Sequence, residues 1–347
     1  MKIAVISDLH FAIKKSDKTF LQSQLRFFED QLVPELKSRN IKNLFVLGDV
    51  FDTRQSVNVQ TDNIVLKLFK ETLKDFTCQI IVGNHDIYHT TTTEVNSLKM
   101  IDLLPNCHVY ENPKKLIIDG KKCLMLPWMT DYNQFDEIVA EDFDYCFCHA
   151  DIIGFDMGGG RLSDAGVPAS KFTAKIKHTY SGHYHKRYTK EYLDGTSINY
   201  IGSPYQLTRI DRYEPRGITI IDMKTDEVEF VENVKSIRFI KFIYPEINKD
   251  VITGNVIDID VPYDLSTETK KIYNLIVELE KKVPAYPINL NIMPKDVSYG
   301  DIKIESGDFN LLSLFKGYID QLETKVDKKE LYDGFMELFN MYKDDEK

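Results

Sequence analysis

Short apolar runs recur along the first 150 residues, and each breaks off into polar, loop-like positions. They cover residues 3–6, 44–47, 79–82, 123–126 and 145–148. Near-continuous apolar runs of this length predict strands buried on both faces. Between the first two runs, Leu21, Leu25, Phe28, Leu32 and Leu36 recur at spacings of 4, 3, 4 and 4, one face of an α-helix. A second helical pattern runs over 61–74. Strands alternating with helices predict an α/β sheet. After about residue 190 the pattern shifts to strands near 200–201, 217–222 and 228–231, which places the end of the first domain near residue 235. Residues 236–298 then offer an alternating strand at 256–261, a helix near 266–282 and a strand at 288–292, a small α+β unit. The remainder, 299–347, predicts two helices. One carries Leu311, Leu314, Phe315, Tyr318 and Leu322; the other carries Leu331, Phe335, Leu338, Phe339 and Tyr342, with Asp327 and Glu330 placed as a capping box. Those helices read either as a hairpin on its own core or as a docking module for a partner.

Composition narrows the class. The chain has 347 residues, of which 43% are hydrophobic and 28% charged, so a wholly disordered, collagen-like or low-complexity chain is excluded. A chain of this size buries a sizeable core without staples. The net charge of −10 excludes a nucleic-acid clamp spread over the whole surface, because such binding draws on surplus positive charge. It leaves room for a local basic patch, or for DNA held through metals or a partner. Residues 300–347 carry 12 acidic and 7 basic side chains. The five cysteines, Cys78, Cys107, Cys123, Cys146 and Cys148, form no CxxC pair and are odd in number, which predicts free, buried thiols in a reducing compartment. The apolar run before Ser7 is too short for a signal-peptide core, and no run approaches the about 18 apolar residues of a membrane span. The expectation is a soluble, cytoplasmic protein.

Asp and His cluster where the predicted strands end: Asp8 and His10 after the first, Asp49 and Asp52 after the second, Asn84, His85 and Asp86 after the third, His149 after the run at 145–148, and later His183 and His185. Side chains at strand ends converge on one crevice at the edge of an α/β sheet. Asp8 and His10 stand two apart, as do His183 and His185, so each pair can point the same way from an extended segment. Glycines precede Asp49, Asn84 and His183, where the backbone turns tightly. Carboxylate, imidazole and amide oxygen suit Mn²⁺, Fe²⁺ or Zn²⁺, and soft thiolates are absent from these motifs. Seven potential ligands are more than one metal needs, so two metals are expected.

The motifs DxH, GDxxD, GNHD, a lone His and GHxH, in that order, resemble the calcineurin-like metallophosphoesterase superfamily. The segments 6–10, 48–52, 81–86 and 200–204 resemble one branch in particular, the nuclease subunits of DNA double-strand-break repair complexes of the SbcD type, and within it phage recombination endonuclease subunits that pair with an SMC-like ATPase. The likeness covers residues 1–235 well and 236–347 only by the size and order of elements. It implies an α/β fold, a calcineurin-like β-sandwich flanked by helices, with a small capping domain at 236–298 that helps admit DNA and C-terminal helices at 299–347 that dock on the ATPase. It implies that Asp8, His10, Asp49 and His185 hold one metal and that Asp49, Asn84, His149 and His183 hold the other, with Asp49 bridging. His85 would face the scissile phosphate and protonate the leaving oxygen, and Asp86 would orient His85. Asp52 stands where some members have a histidine, which leaves its catalytic role open. The implied cofactors are two divalent ions, Mn²⁺ first and Mg²⁺ second. The implied activity is 3′→5′ exonuclease and single-strand endonuclease, and the implied assembly is a homodimer formed within 54–104. No GxxxxGK[ST] loop occurs, so ATP would be handled by a partner.

The other histidines, His89, His108 and His178, read as structural, as do Cys146 and Cys148. Trp128 reads as packing at a strand end in preference to stacking on a base. The glycine-rich loop 154–172 and the cations Arg54, Arg161, Lys186, Arg187, Arg209 and Arg212 are candidates for contacts to a phosphodiester backbone. Two alternatives stay open: a phosphatase or small-molecule phosphodiesterase of the same fold, and a mainly architectural subunit of the ATPase complex.

Overall fold

A computed structural model describes residues 1–54, 56, 58–158, 160–283, 287–293, 319 and 327–345. The chain divides into two compact units, Met1–Lys295 and Asp296–Lys347. In the first, two six-stranded sheets lie face to face. The parallel strands β1 (Lys2–Ile6), β2 (Asn43–Leu47), β3 (Thr77–Ile81) and β4 (Cys107–Tyr110) sit side by side in the first sheet. The hairpin β13 (Gly217–Asp222) and β14 (Glu227–Glu232) extends it antiparallel to β1. The second sheet centres on three more parallel strands, β6 (Lys121–Leu126), β7 (Phe143–His149) and β10 (Ile176–Gly182). It is completed by β5 (Lys114–Ile118) at one edge and by β11 (Tyr188–Glu191) and β12 (Ser197–Tyr200) at the other. Two two-residue strands, β8 (Ile152–Ile153) and β9 (Val167–Pro168), close a loop beyond β7.

All five apolar runs are strands, and their double-sided burial explains the lack of alternation. One face of each sheet turns inward: Ile3, Val5, Phe45, Leu47 and Ile81 pack on Cys123, Met125, Tyr145, Phe147 and Tyr180. The rings of Phe45 and Phe147 meet at 4.6 Å. The opposite face of the first sheet is covered by α1 (Lys18–Phe27) and its continuation through Ser38, which buries Leu21, Phe28, Leu32 and Leu36 and half-buries Leu25. The expected helical stripe is therefore real, but the helix is not regular. A wider five-residue turn spans Phe28–Leu32, just ahead of Pro34, whose missing N–H cannot serve the regular ladder. Helix α2 (Val59–Lys67) covers the same face. All five cysteines are buried and free.

Within the first unit, residues beyond β14 build a smaller parallel sheet of β15 (Phe239–Ile243), β16 (Val256–Val261) and β17 (Asn289–Ile292), with α3 (Thr269–Glu280) packed on it. It has its own apolar core of Tyr244, Ile252, Ile257, Ile259, Val261, Ile272 and Leu279. Buried Asp258 ties it to the sandwich by accepting from Arg209 Nε at 2.9 Å and pairing with Arg212. In the second unit, α4 (Lys328–Asp345) begins where Asp327 caps the Lys329 N–H at 2.8 Å. The stripe of Leu311, Leu314, Phe315, Tyr318 and Leu322 and the side chains of Leu338, Phe339 and Tyr342 lie outside the described residues. Among the described residues, no helix is long and apolar enough to cross a membrane.

Because Phe45 fills the interface between the two large sheets, Phe45→Ala leaves a cavity there. Urea unfolding is expected to show a loss of about 3–5 kcal/mol, and a loss below about 1 kcal/mol would contradict this packing.

Candidate metal centre

β1, β2 and β3 leave the first sheet at one edge, and β7 and β10 leave the second sheet beside them. The ends meet through short polar contacts: His149 Nδ1 lies 2.7 Å from Leu47 O, and the His183 N–H donates to the Asp8 carboxylate at 3.0 Å. The close approach needs glycine. A Cβ at Gly182 would run into Ser7 Oγ and Leu47 O, and one at Gly83 would run into Asp49.

DxH is not extended, contrary to expectation. Asp8 (φ +54°), His10 (φ +45°), Asp49 (φ +53°) and His183 (φ +89°) are all in the left-handed region, which costs energy for residues with a Cβ. The turns after β1 and β2 run alongside each other instead, with Asp8 N–H donating to Gly48 O at 3.1 Å and His10 N–H to Asp49 O at 3.0 Å. Tyr205, just beyond the 200–204 motif, donates its hydroxyl to Leu9 O at 2.6 Å, and Gln24 Nε2 donates to the same oxygen at 2.9 Å. These bonds clamp the DxH turn from behind.

The donor atoms gather in groups. Those of Asp8, His10 and His185 lie within 4.8 Å of one another, as do those of Asp49, His149 and His183. Asp49 stands between the groups: its Oδ2 is 3.7 Å from His10 Nε2 and 3.4 Å from His149 Nε2, while Oδ1 accepts the His85 N–H at 2.8 Å. Asn84 Oδ1 lies 2.9 Å from both His149 Nε2 and His183 Nδ1. The seven expected ligands are thus brought together. A third group, His10, Asp52 and His85, also falls within 4.8 Å.

This donor set fits divalent cations. His149 directs Nδ1 at a backbone carbonyl and His183 directs Nε2 at Asp151 Oδ1, 3.0 Å away, so each ring uses its outer nitrogen as the donor. The inner nitrogens of the neutral rings are then bare, and they face the oxygens of Asn84 and Asp49. Lone pairs that face one another in this way suit a cation between them. Without one, a proton fills the role: burial alone would push His149 down, but Asp49 and Asp8 push it up to about 10. Neither ring nitrogen of buried His10 makes a well-directed hydrogen bond, although Nδ1 is 3.1 Å from Asp52 Oδ1. Burial and the His10 ring beside it push His185 down to about 4, into the neutral form that ligates metal.

Asp86 differs from its expected role. Its carboxylate does not reach the His85 ring. It accepts four backbone N–H bonds, from Asp49 and Gly83 at 2.9 Å on one oxygen and from Val50 and Phe51 at 3.0 and 3.2 Å on the other. The His85 ring is held instead by Asp52 O, 2.6 Å from Nδ1, which leaves Nε2 as its outward atom. Burial and the nearby Asp49 carboxylate raise Asp86 to about 7, against the pull of its N–H donors.

Sequence reasoning missed Asp151. It follows His149 at the same two-residue spacing as Asp8–His10 and His183–His185, a signal that was available. Trp128 does pack at a strand end, but against the site: its ring lies 5.0 Å from His183 and 6.0 Å from His149. His108 stands exposed on β4, and His178 bonds Ser197 Oγ at 3.0 Å; neither joins the donor groups, nor does exposed His89. The Arg187 guanidinium donates to Thr219 at 2.7 Å and lies over Phe230. Lys186 pairs with Asp156 and Glu214, and Arg209 and Arg212 pair with Asp258. Arg54 and Arg161 are exposed.

Residues 1–187 match the model of a family described as calcineurin-like phosphoesterase. That is more than half of the chain, so the chain belongs to the calcineurin-like phosphoesterases, and with this site it is a metal-dependent phosphodiesterase. It is 29% identical over 239 residues to Exonuclease subunit 1 of Enterobacteria phage T4, an alignment spanning 67% of this chain and 68% of the phage protein. Among solved structures, a novel archaeal phosphodiesterase matches with 14% identity and a TM-score of 0.38, covering 67% of this chain and 100% of that one.

Asp86→Asn sets an amide N–H₂ against backbone donors that now meet an oxygen. The metal-free chain is expected to lose about 2–3 kcal/mol in urea unfolding; an unchanged midpoint would refute the anchoring role.

Proposed function

We propose that the chain is a DNA nuclease subunit that uses two divalent metals, Mn²⁺ foremost, for 3′→5′ exonuclease and single-strand endonuclease cleavage. The observation that carries this reading is the pair of donor groups joined at Asp49, built from the ends of both sheets. The likeness to a phage protein named as an exonuclease subunit supports the choice of DNA over other phosphodiesters. Two bound ions would supply Lewis-acid polarisation of the phosphate and a more acidic attacking water.

The chain's own residues then have defined tasks. Asp8, His10, Asp49 and His185 form one ligand set, and Asp49, Asn84, His149 and His183 the other. His85, with Nδ1 fixed on Asp52 O, presents Nε2 to the substrate. In its imidazolium form it donates that proton to the departing sugar oxygen. Asp52 places Oδ1 3.1 Å from His10 Nδ1 and holds His85 through its carbonyl, so one backbone segment lies against both rings.

The assembly reading has narrower support. The word subunit in the phage relative's name accords with a partner, read as an SMC-like ATPase that meets residues 299–347, while residues 236–298 cap the site. Exposed apolar side chains at Val59, Met100 and Leu103 lie in the 54–104 stretch assigned to a homodimer.

The test is cleavage of labelled linear DNA by the purified chain with Mn²⁺, Mg²⁺ or EDTA. Mn²⁺-dependent loss of nucleotides is expected, with a fall of about 10²-fold or more in His85→Ala. Turnover of a nucleotide monoester without any cleavage of DNA, alone or with the ATPase, would overturn the nuclease reading in favour of a phosphatase.

A further inference from the structure

A carboxylate that belongs to neither ligand group closes a small polar network behind His183. Asp151 Oδ1 lies 3.0 Å from His183 Nε2 and accepts the Tyr184 hydroxyl at 2.7 Å, while its Oδ2 accepts the Tyr132 hydroxyl at 3.1 Å. The Tyr132 ring packs on Trp128 at 6.3 Å, and Trp128 packs on His183 at 5.0 Å. His183 is thereby held on its outer edge by Asp151 and on its face by Trp128, with Nδ1 left toward Asn84 Oδ1 at 2.9 Å.

The two nitrogens of an imidazole sit on different edges of the ring. A cation taken by Nδ1 between His183 and Asn84 is out of reach of a carboxylate bonded at Nε2. Asp151 is therefore not an eighth ligand. From its place it does two things that a ligand histidine needs. Accepting the Nε2–H fixes the tautomer with the lone pair on Nδ1. Its negative charge also complements a cation taken by that lone pair. The backbone at His183 is left-handed, at φ +89°, and its N–H is taken by Asp8, so the ring hangs from a strained turn and depends on side-chain contacts for its orientation.

Resting on the metal reading above, we propose that Asp151 is a positioning residue for one of the two metals, acting through His183, with Tyr132 and Tyr184 fixing its own carboxylate. The geometry makes the effect selective. His183 stands in the Asp49 and His149 group, and the carboxylate of Asp151 bonds His183, Tyr184 and Tyr132, none of which belongs to the Asp8, His10 and His185 group. Loss of the carboxylate should weaken one metal-binding step and spare the other.

The test uses the whole chain and Mn²⁺ alone, with free Mn²⁺ counted by electron paramagnetic resonance. The unaltered chain is expected to bind two ions. Asp151→Asn, which keeps the shape and an acceptor oxygen but removes the charge, and Asp151→Ala should each weaken one step, the alanine variant by about 10–100-fold. Asp151→Glu should restore part of that loss. Trp128 is the sole tryptophan and lies on His183, so its fluorescence reports the same step independently. In a phosphodiester dye assay, the Mn²⁺ concentration for half-activation should rise in Asp151→Asn while kcat recovers at saturating Mn²⁺. A merely structural residue would lower kcat without recovery. The proposal is overturned if both variants bind two ions with unaltered affinity, or if both steps weaken equally. An unaltered chain that binds no Mn²⁺, or a single ion, would overturn the two-metal reading itself and this inference with it.

Discussion

The site depends on a buried carboxyl group that stands outside the donor groups. Asp86 gathers the N–H groups of Asp49, Val50, Phe51 and Gly83 onto its two oxygens. Those amides belong to turns that leave adjacent parallel strands, so one carboxylate locks the end of β2 to the end of β3. The lock holds Asp49 in a left-handed conformation that it would not otherwise keep. Asp49 in turn is the residue that faces both halves of the donor set. A buried carboxylate with four amide donors is also self-enforcing, since removing it would leave four buried N–H groups unsatisfied.

The same pattern extends outward from the candidate ligand rings. His149 is turned by Leu47 O, His183 by Asp151, and His10 lies against Asp52. In every case the outer partner comes from a different strand end than the ring it steers. The sandwich is therefore more than a platform. Packing of Phe45 on Phe147 sets the separation of the sheets, and that separation lets Leu47 O meet His149. Core and centre are coupled through a few contacts, and a shift of about 1 Å between the sheets would spoil ligand geometry without unfolding anything.

Much of this was legible in the sequence. Strands buried on both faces show as unbroken apolar runs, and the Leu21, Leu25, Phe28, Leu32, Leu36 stripe marked the covering helix. The seven donors could be listed because ligand chemistry restricts residue type, and because they sit where apolar runs end. What the sequence could not show was conformation and partnership. The left-handed turns at Asp8 and His10 carry no glycine to announce them, so an extended DxH was the natural expectation. Asp86 stands beside His85 in the chain, yet its partners are mostly amides about 35 residues away, which carry no side-chain signature. Asp151 carried the two-residue spacing of the other motif pairs, but that spacing does not say which ring it serves, and only the folded site places it against His183.

The proposed centre holds two ions joined by Asp49. Anomalous scattering from a crystal of the chain soaked in Mn²⁺ tests it most directly. The account predicts two peaks about 3.5–4 Å apart, one against Asp8, His10 and His185 and one against Asn84, His149 and His183, with Asp49 between them. A single peak, or a peak seated among His10, Asp52 and His85, would contradict it.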